Sequence, residues 1–118
     1  MAVSAKFAKN EADLLVKFLQ VMNDSTKVYH ETPEATYADI GKMAGITPEK
    51  TKDIMSAMGF YQKDTQLSMD WMGTSSKPGA TAANLKKVAD FLVQQGALDK
   101  AKDDYGQFID TSFLEQVK

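Results

Sequence analysis

Residues able to carry out chemistry are few in this 118-residue chain. It contains no cysteine, which removes thiol nucleophiles, thiolate metal ligands and disulfides together. The single histidine, His30, lies beside Glu31, with no further ligands at regular spacing to form a metal centre. Asp103 and Asp104 would point apart on a helix, whereas a glycosidase needs two carboxylates that converge across a cleft. The sequence therefore predicts a non-enzymatic protein with no metal and no cofactor.

One residue is a candidate for ligand binding, the only tryptophan, Trp71. It lies two positions before residues 73–79 (GTSSKPG), whose glycine, serine and proline content predicts a flexible stretch. An aromatic wall on a loop near a hinge would suit a small ligand. A side chain that fills the core and pins the loop to the helices is the commoner role of such a residue, and both interpretations remain open.

The charged residues are all lysine, aspartate or glutamate, with 14 basic and 16 acidic side chains and a net charge of −2. Without arginine the chain lacks the bidentate forks suited to phosphate and guanine. Residues 37–58 nevertheless have the outline of a helix-turn-helix, so a small DNA-binding module is the alternative function. Residues 32–58 carry three lysines and four acids, a net charge of −1 that is wrong for phosphate, so a tight helical hairpin is favoured.

The elements that would position these residues are mainly helical. Helical spacing predicts a helix over residues 10–30 with the opposite face solvated, and its inward face would contain Leu14, Phe18, Val21, Met22, Ser25 and Val28 or Tyr29. Two Thr-Pro-Glu starts, at Thr32 and Thr47, predict a helical hairpin over residues 32–59 with stops at Gly45 and Gly59. We expect residues 60–80 to form a loop that carries Trp71, and residues 81–118 to form C-terminal helices, with a short helix over 97–105. No transmembrane helix is expected, because Lys17 and Gln20 interrupt the longest apolar cluster.

The exception is the N-terminus, where Val3, Ala5 and Phe7 alternate with polar residues and predict a half-buried strand over residues 2–7. A single strand has no partner for its backbone groups, so its mates would lie outside this chain. Its free edge is expected to pair with a second copy in a homodimer, to fray, or to join the first helix. These residues contain no long apolar stretch before a small-residue cleavage site, so no signal peptide is predicted.

Two segments carry a family resemblance, residues 3–19 (VSAKFAKNEADLLVKFL) and residues 88–117 (VADFLVQQGALDKAKDDYGQFIDTSFLEQV). They resemble the C-terminal part of extracytoplasmic solute-binding proteins of ABC importers, in the nitrate, sulfonate and taurine branch, with taurine-binding members nearest. The second segment matches a family signature in order at Phe91, Leu92, Gln95, Gly96, Asp104, Tyr105, Phe108 and Phe113. Departures occur at Glu11, near which the family usually has proline, and at Lys6, where an acid is common.

The resemblance implies a mainly α chain, the helical C-terminal portion of a type II periplasmic-binding-protein-like α/β fold with one orphan strand. Residues 1–118 would then be a single partial domain. The complete two-lobed protein would bind taurine or a related sulfonate in the periplasm or another extracytoplasmic space and deliver it to an ABC permease. No ligand-contact residue is carried over, since those of the family lie mostly in the part not covered here, and the isolated chain is expected to lack a full ligand site.

Overall fold

Helices account for most of the regular structure in the computed structural model, which describes residues Met1–Lys118. The elements in chain order are α1 (Ala5–Asn10), α2 (Ala12–Glu31), α3 (Pro33–Ala44), α4 (Pro48–Ser56), α5 (Lys63–Gln66), β1 (Gly73–Thr74), β2 (Lys77–Pro78), α6 (Ala80–Gln94), a 3₁₀ turn (Gly106–Phe108) and α7 (Ser112–Glu115). The prediction of a mainly α chain is confirmed. None of the helices is both long enough and apolar enough to cross a membrane.

The predicted strand over residues 2–7 is wrong, because residues from Ala5 onward form α1. Ser4 caps this helix, its Oγ accepting a hydrogen bond from the Phe7 amide at 3.2 Å. A helix satisfies its own backbone groups, whereas a lone strand leaves them without partners. The predicted homodimer required the free edge of a strand over residues 2–7, and no such strand edge is present. The following helix α2 covers Ala12–Glu31, against a predicted range of 10–30.

The helical hairpin of α3 and α4 follows the local signals. Gly45 ends α3 in the left-handed conformation with φ 69°, as predicted. Thr47 caps α4 through its Oγ, which accepts from the Lys50 amide at 3.3 Å. Gly41 lets the helices approach closely, since a Cβ there would lie 2.8 Å from both the Ile46 carbonyl oxygen and Thr51 Oγ1. Thr32, by contrast, does not cap α3, because its hydroxyl donates to the Val28 carbonyl at 3.0 Å.

The segment predicted as a loop, residues 60–80, contains regular structure. Helix α5 occupies its first half, and residues 73–78 form a two-stranded antiparallel hairpin instead of the predicted flexible stretch. Gly73 pairs with Pro78 and Thr74 with Lys77 across a two-residue turn. Gly73 has φ 74°, and a Cβ on it would lie 2.3 Å from the Lys77 carbonyl oxygen, so this position in β1 requires glycine.

The C-terminal region is less helical than predicted. Helix α6 begins at Ala80, with Gly79 at its N-cap position, one residue before the predicted range of 81–118. The short helix predicted over residues 97–105 is wrong, since this stretch contains only bends and irregular backbone. Leu98 and Tyr105 are its only large apolar side chains, which is too few to hold a helix face against a core.

Little of the chain is enclosed. Ten of 118 residues are buried, and the apolar ones among them are Leu15, Tyr37, Met55, Ala89, Leu114 and Val117. The radius of gyration is 17.3 Å, against about 13.5 Å for a compact domain of this length. The accessible surface is 8646 Å², about 2,300 Å² more than the roughly 6,300 Å² typical of a folded monomer of this mass. The chain alone therefore leaves much of its apolar surface in contact with water.

Candidate functional site

Trp71 lies in the turn between α5 and the hairpin, where its backbone is firmly held. The Trp71 amide donates to the Ser68 carbonyl at 3.1 Å, and its own carbonyl accepts from the Thr81 amide at 2.9 Å. The second bond joins this turn to the first turn of α6. The indole therefore starts from a backbone that is fixed to two neighbouring elements.

The Trp71 ring packs against Tyr61, with ring centroids 4.6 Å apart and planes inclined by 46°. Tyr61 in turn lies over Gly59, where a Cβ would come within 2.6 Å of the tyrosine ring. Trp71 is 39% exposed and Tyr61 43% exposed, so the pair forms a surface wall and does not fill the core. The part played by Tyr61 was not predictable, since Tyr61 lies ten positions before Trp71 without a periodic relation.

A shallow depression of about 440 Å³ borders Trp71 on the α6 side, lined by Asp70, Trp71, Thr81, Asn84, Leu85 and Val88. Leu85 and Val88 supply an apolar floor beside the indole, and Asn84 and Thr81 add amide and hydroxyl groups. Asp70 is the only ionisable residue in the lining. Because a carboxylate and an aromatic face both attract cations, the depression suits an amine and offers no cation to an anion.

The hairpin beyond Trp71 is attached to the C-terminal helix by one carboxylate. Glu115 accepts hydrogen bonds from the Ser75 amide at 2.6 Å, the Ser75 hydroxyl at 3.0 Å and the Thr111 hydroxyl at 2.7 Å. The Thr111 bond, followed by the Ser75 amide, lowers the pKa of Glu115 below its ordinary value of 4.5. The ionised carboxylate therefore fixes the hairpin to α7.

The polar face of α2, predicted to be solvated, holds distant parts of the chain. Asn23 Oδ1 accepts from the Lys63 amide at 2.8 Å, at the start of α5. Lys63 Nζ donates to the Val117 carbonyl at 2.6 Å, and Gln20 bonds the Lys118 main chain in both directions. These contacts position α5, and with it the Trp71 turn, against α2 and the C-terminal segment.

The predicted apolar face of α2 is exposed, and a neighbouring face is buried in its place. Leu15 is 3% exposed, whereas the predicted inward residues Leu14, Phe18, Val21, Met22 and Val28 are between 49% and 61% exposed. Helix α6 repeats this arrangement, with Ala89 buried but Leu85, Val88, Phe91 and Leu92 exposed. The structure thus contains two apolar helix faces that the rest of the chain covers only in part.

His30 serves a structural purpose. Its Nε2 donates to the Phe60 carbonyl at 2.9 Å, and its ring lies 5.1 Å from that of Tyr29. Tyr29 packs on Phe60 and Tyr37 as well, at 5.0 and 6.0 Å between centroids. No group of three histidine, aspartate or glutamate side chains could hold a metal ion. His30 therefore fixes the chain between α4 and α5 against the end of α2.

The helix-turn-helix outline presents a weakly charged surface. Lys52 on α4 is paired with Glu34 on α3 at 3.2 Å, which neutralises one of the three lysines in this region. Lys42 and Lys50 remain beside Asp39, Glu49 and Asp53. A protein that reads DNA needs an excess of positive charge on its recognition helix, so this charge pattern weighs against the alternative function.

Comparison of the chain with protein-family models, with curated proteins and with solved structures gives no match.

Proposed function

We propose that this chain is the helical C-terminal portion of an extracytoplasmic solute-binding protein, which binds taurine or a related sulfonate and feeds an ABC importer. The proposal starts from the ordered signature between Phe91 and Phe113 and gains support from the exposure of its aromatic residues. Phe91 is 56% exposed and Phe108 57% exposed. Large aromatic side chains of a recurring signature are expected to be covered in the complete protein.

The uncovered face of α6 is the single observation that carries the proposal. Leu85, Val88, Phe91 and Leu92 follow helical spacing on one side of the helix, and the last three of them lie in the segment that resembles the family. An amphipathic helix of an α/β lobe buries such a face against a sheet. A sheet here would cover Phe91 and Leu92, because Leu85 and Val88 line the depression at Trp71. The chain holds only the two-residue strands β1 and β2, so the covering sheet would come from the rest of the protein.

The depression at Trp71 fits one half of a taurine site. Taurine carries an ammonium group at one end and a sulfonate at the other. Asp70 and the Trp71 ring would receive the ammonium, while the lining contains no lysine to receive the sulfonate. Helix N-termini and backbone amides of the remaining lobes would hold the anion, and closure of the two lobes would enclose the ligand. The mechanism is thus binding and release, with no covalent step.

The decisive experiment reads the coding sequence upstream of Met1 and titrates the protein encoded by the whole open frame with taurine by calorimetry. We expect an upstream segment with alternating strands and helices, and a dissociation constant in the micromolar range or below. Ethanolamine, which lacks the sulfonate, and ethanesulfonate, which lacks the amine, serve as control ligands and should bind much more weakly. The 118 residues alone should show no measurable heat, because half a cleft buries too little of the ligand.

Two results would overturn the proposal: an upstream sequence that cannot encode the two lobes, or micromolar taurine binding by the 118 residues alone. The part assigned to Trp71 is tested in the whole protein by Trp71→Leu, which should weaken taurine binding about tenfold, roughly 1.4 kcal/mol. Tyr105→Leu is the matched control, since Tyr105 packs on Phe108 away from the depression. Equal affinities in the two variants would remove Trp71 from the site.

A further inference from the structure

The exposed face of α2 has the spacing of a two-helix seam. Leu14, Phe18, Val21, Ser25 and Val28 follow one another at alternating steps of four and three residues, the a and d pattern of a heptad. The four large members of this row are 53%, 49%, 61% and 54% exposed in chain order. We call these five residues the α2 seam. They form a straight apolar row on a helix of 20 residues.

The seam has the composition of an antiparallel pair. When two copies of α2 run in opposite directions, a positions face d positions, so Leu14 lies opposite Ser25 and Phe18 lies opposite Val21 of the second copy. Each bulky side chain from the first half of the helix then meets a smaller one from the second half. A parallel pair would place Phe18 against Phe18 and leave a gap at the two serines.

Charge favours the same orientation. Lys17 and Asp24 occupy equivalent positions of successive heptads beside the seam, and both are exposed. In the antiparallel arrangement Lys17 of each copy lies next to Asp24 of the other, which gives two symmetric ion pairs. Lys17 forms no ion pair within its own chain, since the three pairs present join Lys27 to Glu31, Lys52 to Glu34 and Lys86 to Asp90.

An apolar groove lies beside the α2 seam. The groove of about 570 Å³ between α2 and α3, lined in part by Val21, Met22, Val28 and Ile40, would accept side chains of the second copy.

We propose that the chain forms a two-fold symmetric homodimer through an antiparallel pairing of the α2 seam. This inference is independent of the proposed function, because it uses the face of α2 and leaves the face of α6 for the remaining lobes. A failure to bind taurine would leave it intact, and a monomer would leave the taurine proposal intact.

Sedimentation equilibrium of the 118-residue chain between 1 and 100 µM tests the proposal. The expected mass is about 26 kDa, twice the 13.0 kDa of one chain; a mass of one chain throughout this range, or a mass that grows without limit, would overturn it. Val21→Asp should give a monomer at all concentrations. Met43→Asp is the control, since Met43 is 90% exposed on α3 and lies outside the seam, and it should leave the dimer unchanged.

The orientation is tested by charge exchange. Lys17→Asp places four acids around the two-fold axis and should weaken the dimer at least tenfold. The double variant Lys17→Asp with Asp24→Lys restores two opposite pairs and should recover the original dissociation constant. Circular dichroism at 222 nm confirms that each variant is helical. Three results would contradict the antiparallel seam. Val21→Asp remains a dimer, Met43→Asp becomes a monomer, or the double variant dimerises no more tightly than Lys17→Asp.

Discussion

Gln20 and Lys118 hold each other through two hydrogen bonds although 98 positions separate them in the chain. The Gln20 side-chain oxygen accepts from the Lys118 amide at 2.7 Å, and its Nε2 donates to the Lys118 main-chain oxygen at 3.1 Å. One side-chain amide thereby satisfies a donor and an acceptor of the backbone together. The C-terminal segment is closed onto the middle of α2 at this point, next to the buried side chain of Val117.

Replacing Gln20 by alanine should therefore loosen the C-terminal segment. The loss of both hydrogen bonds to Lys118, and of the one that Gln20 Nε2 donates to Asp24 at 2.9 Å, predicts a fall of about 1–2 kcal/mol in the free energy of unfolding. Urea denaturation followed by circular dichroism measures this change. Gln94→Ala is the matched control, because Gln94 is exposed on α6 and its replacement should change stability by no more than about 0.5 kcal/mol. Equal losses in the two variants would contradict the assigned contact.

The contact between Glu115 and Ser75 predicts a dependence on pH. The pKa of Glu115 is lowered in the folded chain, first by the Thr111 hydroxyl and then by the Ser75 amide. A carboxyl group with a lowered pKa binds its proton less readily when folded, so its stabilising effect is present above its ordinary value of 4.5 and is lost as the pH falls below it. The hairpin should detach from α7 in this acidic range.

The amide resonance of Ser75 reports this titration directly in a proton–nitrogen NMR spectrum. Its shift should follow the protonation of Glu115 with a midpoint below 4.5. Glu115→Gln should abolish the titration of this resonance, and the stability difference between Glu115→Gln and the unaltered chain should shrink on going from pH 7 to pH 3. A midpoint at or above 4.5 would show that the carboxylate is not held as described.

A change from glycine to alanine at Gly41 is predicted to lower the free energy of unfolding, although the same change usually raises it within a helix. Alanine is ordinarily better than glycine in a helix by about 0.5–1 kcal/mol. At Gly41 the added Cβ would approach the Ile46 carbonyl oxygen and Thr51 Oγ1 to 2.8 Å, and a backbone atom cannot move aside easily. We expect Gly41→Ala to lower the free energy of unfolding by about 1–3 kcal/mol. Ala38→Gly, at an exposed position of α3, measures the intrinsic preference of a helix for alanine over glycine. A stabilising Gly41→Ala would contradict the close approach of α3 to Ile46 and Thr51.

Signals that act within a few residues were predictable from the sequence. The Thr47 cap reaches an amide three residues away, and Gly45 ends α3 through its own backbone conformation. Such interactions are complete within one turn, so residue type and spacing determine them. The helical hairpin was therefore predictable close to its observed limits, whereas the strand over residues 2–7 was not excluded by any comparable local signal.

The buried face of α2 could not be predicted in the same way. Leu14 and Leu15 are adjacent, and periodicity alone places either of them at the centre of an apolar stripe. Contact with α7 and α3 selects the face that contains Leu15, and this choice depends on partners more than ten residues away. The contacts of Glu115 with Ser75 and of Trp71 with Tyr61 share this origin, because no sequence spacing encodes a meeting of side chains from separate turns.

The pair formed by Trp71 and Tyr61 provides a spectroscopic prediction, since Trp71 is the only tryptophan. Tyr61→Leu removes the aromatic contact at 4.6 Å and should shift the emission maximum of Trp71 to longer wavelength, because more of the indole then meets water. An aromatic pair contributes about 0.5–1.5 kcal/mol beyond its buried area, so a loss of about 1 kcal/mol in stability should accompany the shift. Tyr105→Leu is the control and should leave the emission unchanged, since Tyr105 packs on Phe108.

Gly59 allows the same pair to be disturbed without touching either ring. A Cβ at this position would come within 2.6 Å of the Tyr61 ring, so Gly59→Ala must push the tyrosine away from its present place. The emission of Trp71 should then shift in the same direction as in Tyr61→Leu, and the double variant should shift no further than Tyr61→Leu alone. Additive shifts would mean that Gly59 and Tyr61 affect the indole independently. That result would contradict an effect of Gly59 on Trp71 that acts through the Tyr61 ring.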